Sequence, residues 1–151
     1  MGDLMVFLFF GILSVNGSYF LYAKHFEWLY LIPSTGIGLF SVGVLNLNNM
    51  RDADSDRLAG KFTIALLLGP TLSKWYHFFL IATAMVLFLV FTLLKDFGLF
   101  NLLFLLVYFP LVQHLFRVTR VDKKIDFDPE LKILALCTFF VSLLFAIMIL
   151  I

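Results

Sequence analysis

Long apolar runs separated by short polar connections dominate the sequence. A helix rises about 1.5 Å per residue and needs about 20 mostly apolar residues to cross about 30 Å of hydrocarbon. Five runs meet this requirement, so the pattern predicts an all-α integral membrane protein with five transmembrane helices. The predicted spans are Leu4–Ala23, Leu29–Asn48, Trp75–Leu94, Phe97–Phe116 and Leu131–Ile151.

Composition supports this interpretation and excludes other classes of protein. Of the 151 residues, 62% are hydrophobic and 14% are charged, whereas soluble proteins are about 45–50% apolar. The formal net charge is +1, so no large basic surface is available to bind nucleic acid. No internal repeat or linker divides the chain, and we expect one membrane domain over residues 1–151.

The distribution of lysine and arginine predicts the orientation of the spans. Short cytoplasmic connections carry an excess of these residues. The connections on one side hold nine of them and those on the other side hold two. The nine are Arg51, Arg57, Lys61, Lys74, Arg117, Arg120, Lys123, Lys124 and Lys132, and the two are Lys24 and Lys95. We therefore expect a multi-pass protein of the inner, cytoplasmic membrane, with a cytosolic N-terminus and an external C-terminus.

The spans differ in character. The second span is rich in small residues, which let helix backbones approach closely in lipid, so we expect it at the centre of the bundle. These residues are Ser34, Gly36, Gly38, Ser41 and Gly43. Pro110 predicts a kink in the fourth span. The Phe-rich third and fifth spans are expected to face lipid.

Three polar side chains of the apolar runs have structural and functional interpretations. Asn16 is expected to link two helices by a hydrogen bond, with a substrate contact as the alternative. His77 and His114 lie near span ends, and we expect them to be interface residues close to water rather than catalytic groups or metal ligands.

A polar stretch follows the second span. If the helix continues, Asn48, Asp52 and Asp56 fall on one face at successive turns, while Asp54 points away. Two carboxylates on adjacent turns suit Mg²⁺, which proteins usually bind through one or two carboxylates plus substrate phosphates and water. A solvated cytosolic loop is the alternative interpretation, because the orientation rule alone explains its basic residues. Those basic residues are Arg51, Arg57 and Lys61.

This stretch resembles a known family. Residues Asn48–Thr63 read Asn-Asn-Met-Arg-Asp-Ala-Asp-Ser-Asp-Arg-Leu-Ala-Gly-Lys-Phe-Thr. They resemble the second aspartate-rich motif of the UbiA superfamily of intramembrane prenyltransferases. The Asn-Asn-x-Arg-Asp form is similar to the branch that acts on 1,4-dihydroxy-2-naphthoate in menaquinone biosynthesis. Residues Gly2–Gly11 resemble the start of that family's fifth transmembrane helix, and Asp128–Lys132 resemble the entry to its last one.

The resemblance implies a magnesium-dependent aromatic prenyl transfer. An allylic polyprenyl diphosphate would ionise, and an electron-rich aromatic ring would attack the carbocation, with the departing diphosphate stabilised by Mg²⁺ and cationic side chains. Asp52 and Asp56 would hold Mg²⁺, and Lys61 would lie near the diphosphate. Residues around the substrate head group would be Asn48, Asn49, Arg51 and Arg57.

The resemblance also implies a missing half. The family has nine transmembrane helices and two aspartate-rich motifs, and this chain resembles the C-terminal five helices with one motif. We therefore expect that activity requires an N-terminal half, whether the chain is part of a split enzyme, a truncated reading frame or a fragment. Phe62 stands where the family usually carries a basic residue. The alternatives are a different aromatic acceptor and a non-catalytic or vestigial membrane subunit.

Overall fold

The fold is a bundle of helices. The computed structural model describes residues 2–95, 99–122 and 124–150, and every element in those residues is helical. Five helices are long and apolar enough to cross a membrane, which confirms the predicted number. They are Gly2–Ala23, Trp28–Arg51, Ile64–Leu94, Leu102–Arg120 and Phe127–Ile147. Phe97 and Ile151, two predicted span boundaries, lie outside the described residues, as do Met1 and Lys123.

The helical elements within these spans are as follows. The first span comprises α1 (Gly2–Val6), a π-helical segment (Phe7–Leu13) and α2 (Ser14–Ala23). The second is a 3₁₀ turn (Trp28–Tyr30) and α3 (Leu31–Arg51), and a short helix α4 (Ala53–Leu58) follows it. The third is α5 (Ile64–Leu94). The fourth is a 3₁₀ segment (Leu99–Val107) and α6 (Tyr108–Arg120). The fifth is α7 (Phe127–Leu150), preceded by a 3₁₀ turn (Lys124–Asp126). We call the end of the bundle that carries Arg51 the motif end, and the opposite end the far end.

The second span is the axis of the bundle, as its small residues predict. It contacts the first, third and fifth spans. A Cβ atom at Gly36 would lie 2.8 Å from Cε2 of Phe88, and one at Gly43 would lie 2.6 Å from Cδ1 of Ile81. Larger residues at these positions would therefore push the third span away.

The first and second spans cross at two glycines. A Cβ atom at Gly11 would lie 2.5 Å from Cα of Gly38, so the two backbones are in direct contact. Gly11 belongs to the π-helical segment. Farther along the same interface, Nδ2 of Asn16 donates to Oγ of Ser34 at 2.8 Å. This bond confirms that Asn16 links two helices.

The third span is longer than predicted and lies inside the bundle rather than facing lipid. It begins at Ile64, eleven residues before the predicted Trp75, and a break at Gly69 with φ 75° and ψ 178° separates its first turns from the rest. Thr63 caps it by accepting from the backbone N–H of Leu66. The expectation that it faces lipid was wrong, because it is as buried as the second span. Phe88 and Ile81 of the third span fill the space that Gly36 and Gly43 of the second span leave open.

The expected kink at Pro110 takes a different form. The fourth span changes from 3₁₀ to α-helical geometry at Tyr108, so Pro110 lies in the first turn of α6. Proline has no N–H to donate to the carbonyls of the preceding turn, and here that preceding turn is 3₁₀ rather than α-helical. The change of helix type therefore precedes the proline.

The glycine crossing can be tested by adding one methyl group. We expect Gly11→Ala to destabilise the protein by about 1–3 kcal/mol, the usual cost of overpacking, because the new Cβ would contact the backbone of Gly38. Gly17→Ala in the same span is the control, since no atom of the described chain other than its own helix backbone and neighbours lies within 4 Å of its Cβ position. Unfolding in mixed micelles measures both variants. Equal stabilities would contradict the close crossing.

Candidate functional site

The motif end presents the predicted aspartate face. The backbone N–H of Asp52 donates to the carbonyl of Asn48 at 2.9 Å, and that of Asp56 donates to the carbonyl of Asp52 at 2.9 Å. Helical hydrogen bonding therefore passes from α3 into α4, and these three residues occupy successive turns. Asp54 and Arg57 instead line a separate cavity of about 480 Å³.

Arg51 joins the second and fifth spans. Its Nε donates to Oδ1 of Asp52 at 2.8 Å and its Nη2 to Oδ2 of Asp52 at 3.0 Å. Nη2 also donates to Oδ1 of Asn48 at 2.6 Å, and Nη1 donates to Oδ1 of Asp128 at 2.8 Å. One planar guanidinium thus holds two carboxylates and one amide, which is the fork geometry that arginine offers and lysine does not.

A tight turn at the end of α4 places Lys61 beside Asp56. The N–H of Gly60 donates to the carbonyl of Arg57, and the N–H of Lys61 donates to the carbonyl of Asp56. Gly60 has φ 67°, so the turn is a Schellman motif with glycine in the left-handed conformation. Nζ of Lys61 consequently reaches Oδ1 of Asp56 at 2.6 Å. The side chain of Asp56 is buried, and that of Lys61 is exposed.

These contacts keep the groups charged. The hydrogen bonds from Arg51 hold the pKa of Asp52 below its ordinary value, and the charges of Arg51 and Lys61 act in the same direction. The hydrogen bond to Asp56 raises the pKa of Lys61, and the charge of Asp52 contributes to that rise. Lys61 is therefore close enough to interact with both carboxylates.

The donor set fits part of a Mg²⁺ site. Carboxylate and amide oxygens are the ligands that Mg²⁺ prefers, with water or phosphate oxygens completing six positions. Asp52 and Asp56 supply two carboxylates on adjacent turns, although Arg51 and Lys61 bind their oxygens here. Among the described residues, no group of three or more His, Cys, Asp or Glu side chains is placed to hold a metal ion. The two carboxylates alone would leave the other positions around Mg²⁺ to water or phosphate oxygens.

The remaining predicted site residues divide between two places. Asn48 contacts Arg51 and also lines a cavity between the first, second and fifth spans. Asn49 is buried at the end of the second span. Arg57 lies on the opposite face of α4, in the cavity that contains Asp54, and is not brought together with Asp52.

Asp128 belongs to the cluster but was missing from the predicted site. It lies 77 residues from Arg51 in the sequence, and the fold brings the two together. In the sequence, Asp128 stands out only as an acidic residue directly before a proline at the start of an apolar run. That signal identifies the first turn of a helix but does not identify its partner.

An apolar cleft runs from this cluster along three spans. Near the motif end, a cavity of about 470 Å³ is lined by the first, second and fifth spans and includes Asn48. A second cavity of about 540 Å³ follows on the next turns of the same spans, with Phe88 of the third span at one wall. Ile37 and Ser41 illustrate this succession, because they are one turn apart and line the two cavities. We call the two cavities together the long cleft.

His77 and His114 were wrongly expected to be interface residues close to water. Both are fully buried, and their Nε2 atoms lie 2.9 Å apart. Nδ1 of His114 is 2.7 Å from Oε2 of the buried Glu130, and Nε of Arg117 donates to the other oxygen of Glu130. If Nδ1 of neutral His114 carries the proton for Glu130, its Nε2 accepts from His77. The network ties the third, fourth and fifth spans together.

Comparison with known proteins gives one consistent result. The family model described as "UbiA prenyltransferase family" matches residues 1–133. A 1,4-dihydroxy-2-naphthoate octaprenyltransferase of Haemophilus influenzae is 32% identical over 147 residues, which is 97% of this chain and 48% of that protein. The protein with the same description in Escherichia coli K12 is 37% identical over 132 residues, covering 87% of this chain and 43% of that protein.

A third relative carries the same family description. A UbiA prenyltransferase domain-containing protein 1 homolog of Drosophila melanogaster is 35% identical over 125 residues, which is 82% of this chain and 32% of that protein. The chain therefore spans about half the length, or less, of these curated relatives. No solved structure matches it at a significant level.

The pairing of Arg51 with Asp52 can be tested by pH titration. Because the folded pKa of Asp52 is lowered, the stabilisation from this pair is present above the pKa of an unfolded aspartate and is lost as the pH falls through the folded value. Arg51→Gln should raise the pKa of Asp52, so that protonation begins at higher pH. Carboxyl ¹³C NMR of labelled aspartate measures the change. Arg57→Gln, on the other face of α4, should leave the Asp52 titration unchanged; an equal shift in both variants would contradict the assignment.

The buried network can be tested at Glu130. Glu130→Ala removes the acceptor of His114 and Arg117, and we expect it to cost about 1–3 kcal/mol, the usual cost of leaving a buried donor without its partner, since the side chain of Arg117 is 42% exposed and is not left as a buried charge. Glu27→Ala is the control, because its pair with Lys95 is partly exposed and should contribute about 0–1 kcal/mol. Thermal unfolding in detergent ranks the two variants. A Glu130 variant as stable as the Glu27 variant would show that the network contributes little.

Proposed function

Because the chain belongs to the UbiA prenyltransferase family, we propose that it forms the C-terminal half of an intramembrane enzyme. That enzyme would transfer a prenyl group from an allylic polyprenyl diphosphate to an aromatic acceptor. The observation that carries the proposal is the continuity of the charged cluster with the long cleft: Asn48 both accepts from Arg51 and lines the cleft. A substrate with an anionic head and an apolar tail matches this arrangement.

The residues of the cluster receive the following roles. Asp52 and Asp56 would hold Mg²⁺, which when bound supplies positive charge to the departing diphosphate. Arg51 and Lys61 neutralise the carboxylates in this structure, and in the complex they would turn towards diphosphate oxygens. Asp128 would then retain Arg51, because it offers the guanidinium a second carboxylate. Asn48 and Asn49 would contact the head group.

The proposed reaction is an aromatic substitution. The bond between the allylic carbon and the diphosphate oxygen breaks, and its electron pair leaves with the diphosphate. The aromatic ring then supplies the electron pair of the new carbon–carbon bond to the allylic cation. The substituted ring carbon would regain aromaticity by losing the group it carried, either a proton released to water or a carboxylate released as carbon dioxide. The cationic side chains of Arg51 and Lys61 would stabilise the leaving group, which is charge stabilisation at an organised site.

The acceptor is proposed from the relatives. Both bacterial relatives are described as 1,4-dihydroxy-2-naphthoate octaprenyltransferases, and we propose the same acceptor here, with a different aromatic acceptor as the alternative. The proposed orientation places the motif end in the cytosol, where charged substrates would arrive. It also places this multi-pass protein in the inner, cytoplasmic membrane.

A partner half is part of the proposal. The first span is the least buried of the five spans, and it forms one wall of the long cleft with the second and fifth spans. An N-terminal half of about four spans, carrying the first aspartate-rich motif, would close the cleft and complete the metal ligands.

Complementation tests the function and the site together. The chain is co-expressed with the first half of the Escherichia coli relative, and transfer from a polyprenyl diphosphate to 1,4-dihydroxy-2-naphthoate is measured in membranes. We expect Asp52→Asn and Asp56→Asn each to lower the rate by about a hundredfold or more, as when one charge-stabilising group of an active site is removed. Asp54→Asn, in the separate cavity, is the matched control and should retain the rate.

The non-catalytic alternative makes the opposite prediction. A structural subunit would leave transfer and its Mg²⁺ dependence unchanged in both aspartate variants. Full activity of the Asp52 and Asp56 variants would therefore contradict the assignment of these two residues to the active site.

A further inference from the structure

The far end of the long cleft is a wall of two tyrosines. Tyr19 and Tyr30 are the lining residues nearest the far end on the first and second spans. Their ring centroids lie 4.3 Å apart with an interplanar angle of 30°. The two rings therefore pack against each other at the far end of the long cleft.

Contacts outside the cleft fix both rings. The hydroxyl of Tyr19 donates to Oε2 of Glu27 at 3.0 Å, and Nζ of Lys95 donates to Oε1 of Glu27 at 3.0 Å. The same Nζ lies 5.4 Å from the ring centroid of Tyr30, and the ring of Phe91 packs against Tyr30 with centroids 5.6 Å apart. The hydrogen bond from Lys95 lowers the pKa of Glu27, so the wall is backed by an ion pair.

The position of this wall limits what the cleft can hold. Asn48 and Tyr30 belong to one helical span, so their 18-residue separation corresponds to about 27 Å at 1.5 Å per residue. That length approaches the thickness of the hydrocarbon layer, about 30 Å. Beyond the wall, an apolar tail would have to displace a hydrogen-bonded ion pair, which is unfavourable because polar groups lose their partners.

We propose that the Tyr19–Tyr30 pair sets the longest prenyl tail that the cleft accepts. The head of the substrate lies at Asn48 and Arg51, the tail follows the second span, and its last isoprene unit meets the two rings. A longer tail has to leave the cleft sideways and gains no further contacts. This inference rests on the proposed function, since it takes a polyprenyl diphosphate as the occupant.

Binding as a function of tail length tests the inference. The chain is placed in lipid nanodiscs, alone and with the first half used for complementation. Prenyl diphosphates of increasing isoprene number then compete with a radiolabelled prenyl diphosphate. We expect the affinity to rise severalfold with each added unit and then to stop rising at one length. Tyr30→Ala should move that limit to a tail at least one unit longer.

The chain offers a matched control. Tyr22 lies on the first span, is 92% exposed and does not line the cleft, so Tyr22→Ala should leave the limit unchanged. The inference is overturned if the affinity stops rising at the same tail length in Tyr30→Ala and in the unaltered chain. A limit that moves equally in the Tyr22 and Tyr30 variants also overturns it.

A measurement on the unaltered chain removes any dependence on the folding of a variant. A diphosphate of the limiting length that carries a diazirine on its last isoprene unit should label Tyr19 or Tyr30. Label confined to residues of the motif end would overturn the inference.

The two proposals fail in different ways. Suppose that Asp52→Asn abolishes binding but Tyr30→Ala leaves the limiting tail length unchanged. The tyrosine pair then has no role in tail length, and the proposed function stands. If no binding depends on Asp52, both proposals fall.

Discussion

The close approach of backbones along the second span determines where the other spans lie. Water exclusion does not drive helices together in lipid, so packing and internal hydrogen bonds must do so. Gly38 lets the backbone of Gly11 come into direct contact, and Gly36 and Gly43 admit Phe88 and Ile81 of the third span. The first and third spans therefore pack closely against one helix, and the fifth span contacts the same helix. The long cleft lies among the first, second and fifth spans.

Polar side chains at membrane depth hydrogen-bond to one another inside the bundle, although Oδ1 of Asn16 and Nδ1 of His77 are buried without a partner among the described residues. Asn16 donates to Ser34 between the first and second spans, and the pair of His77 and His114 leads to Glu130 at the start of the fifth. Such bonds specify the arrangement of helices, because an unpaired polar group in hydrocarbon is costly. The Phe-rich third span takes an interior position for a related reason: His77 pairs with His114 there, and the ring of Phe88 packs against Phe40 and Phe145.

The charged side chains at the motif end form ion pairs with one another. Arg51 and Lys61 each bind an aspartate of the motif, and Asp128 gives Arg51 a second acceptor. An ion pair of this kind keeps the carboxylates ionised and the cations in place. In the proposed complex, the same groups would exchange these partners for a diphosphate and its counterion. The charged cluster and the apolar cleft meet at Asn48, and the proposed function takes a lipid with an anionic head to lie across both.

The sequence by itself determined the number of spans, the central place of the second span and the succession of Asn48, Asp52 and Asp56 along one helical face. These features follow from hydrophobicity and from helical periodicity, which are local properties of the chain. Only the packing of the spans decided that Arg51 reaches Asp128 and that His77 meets His114. These two contacts join residues 77 and 37 positions apart, so they depend on which spans become neighbours. The wall at Tyr19 and Tyr30 likewise forms because two spans meet there with the connections that carry Glu27 and Lys95. The periodicity of a single span does not predict such a contact.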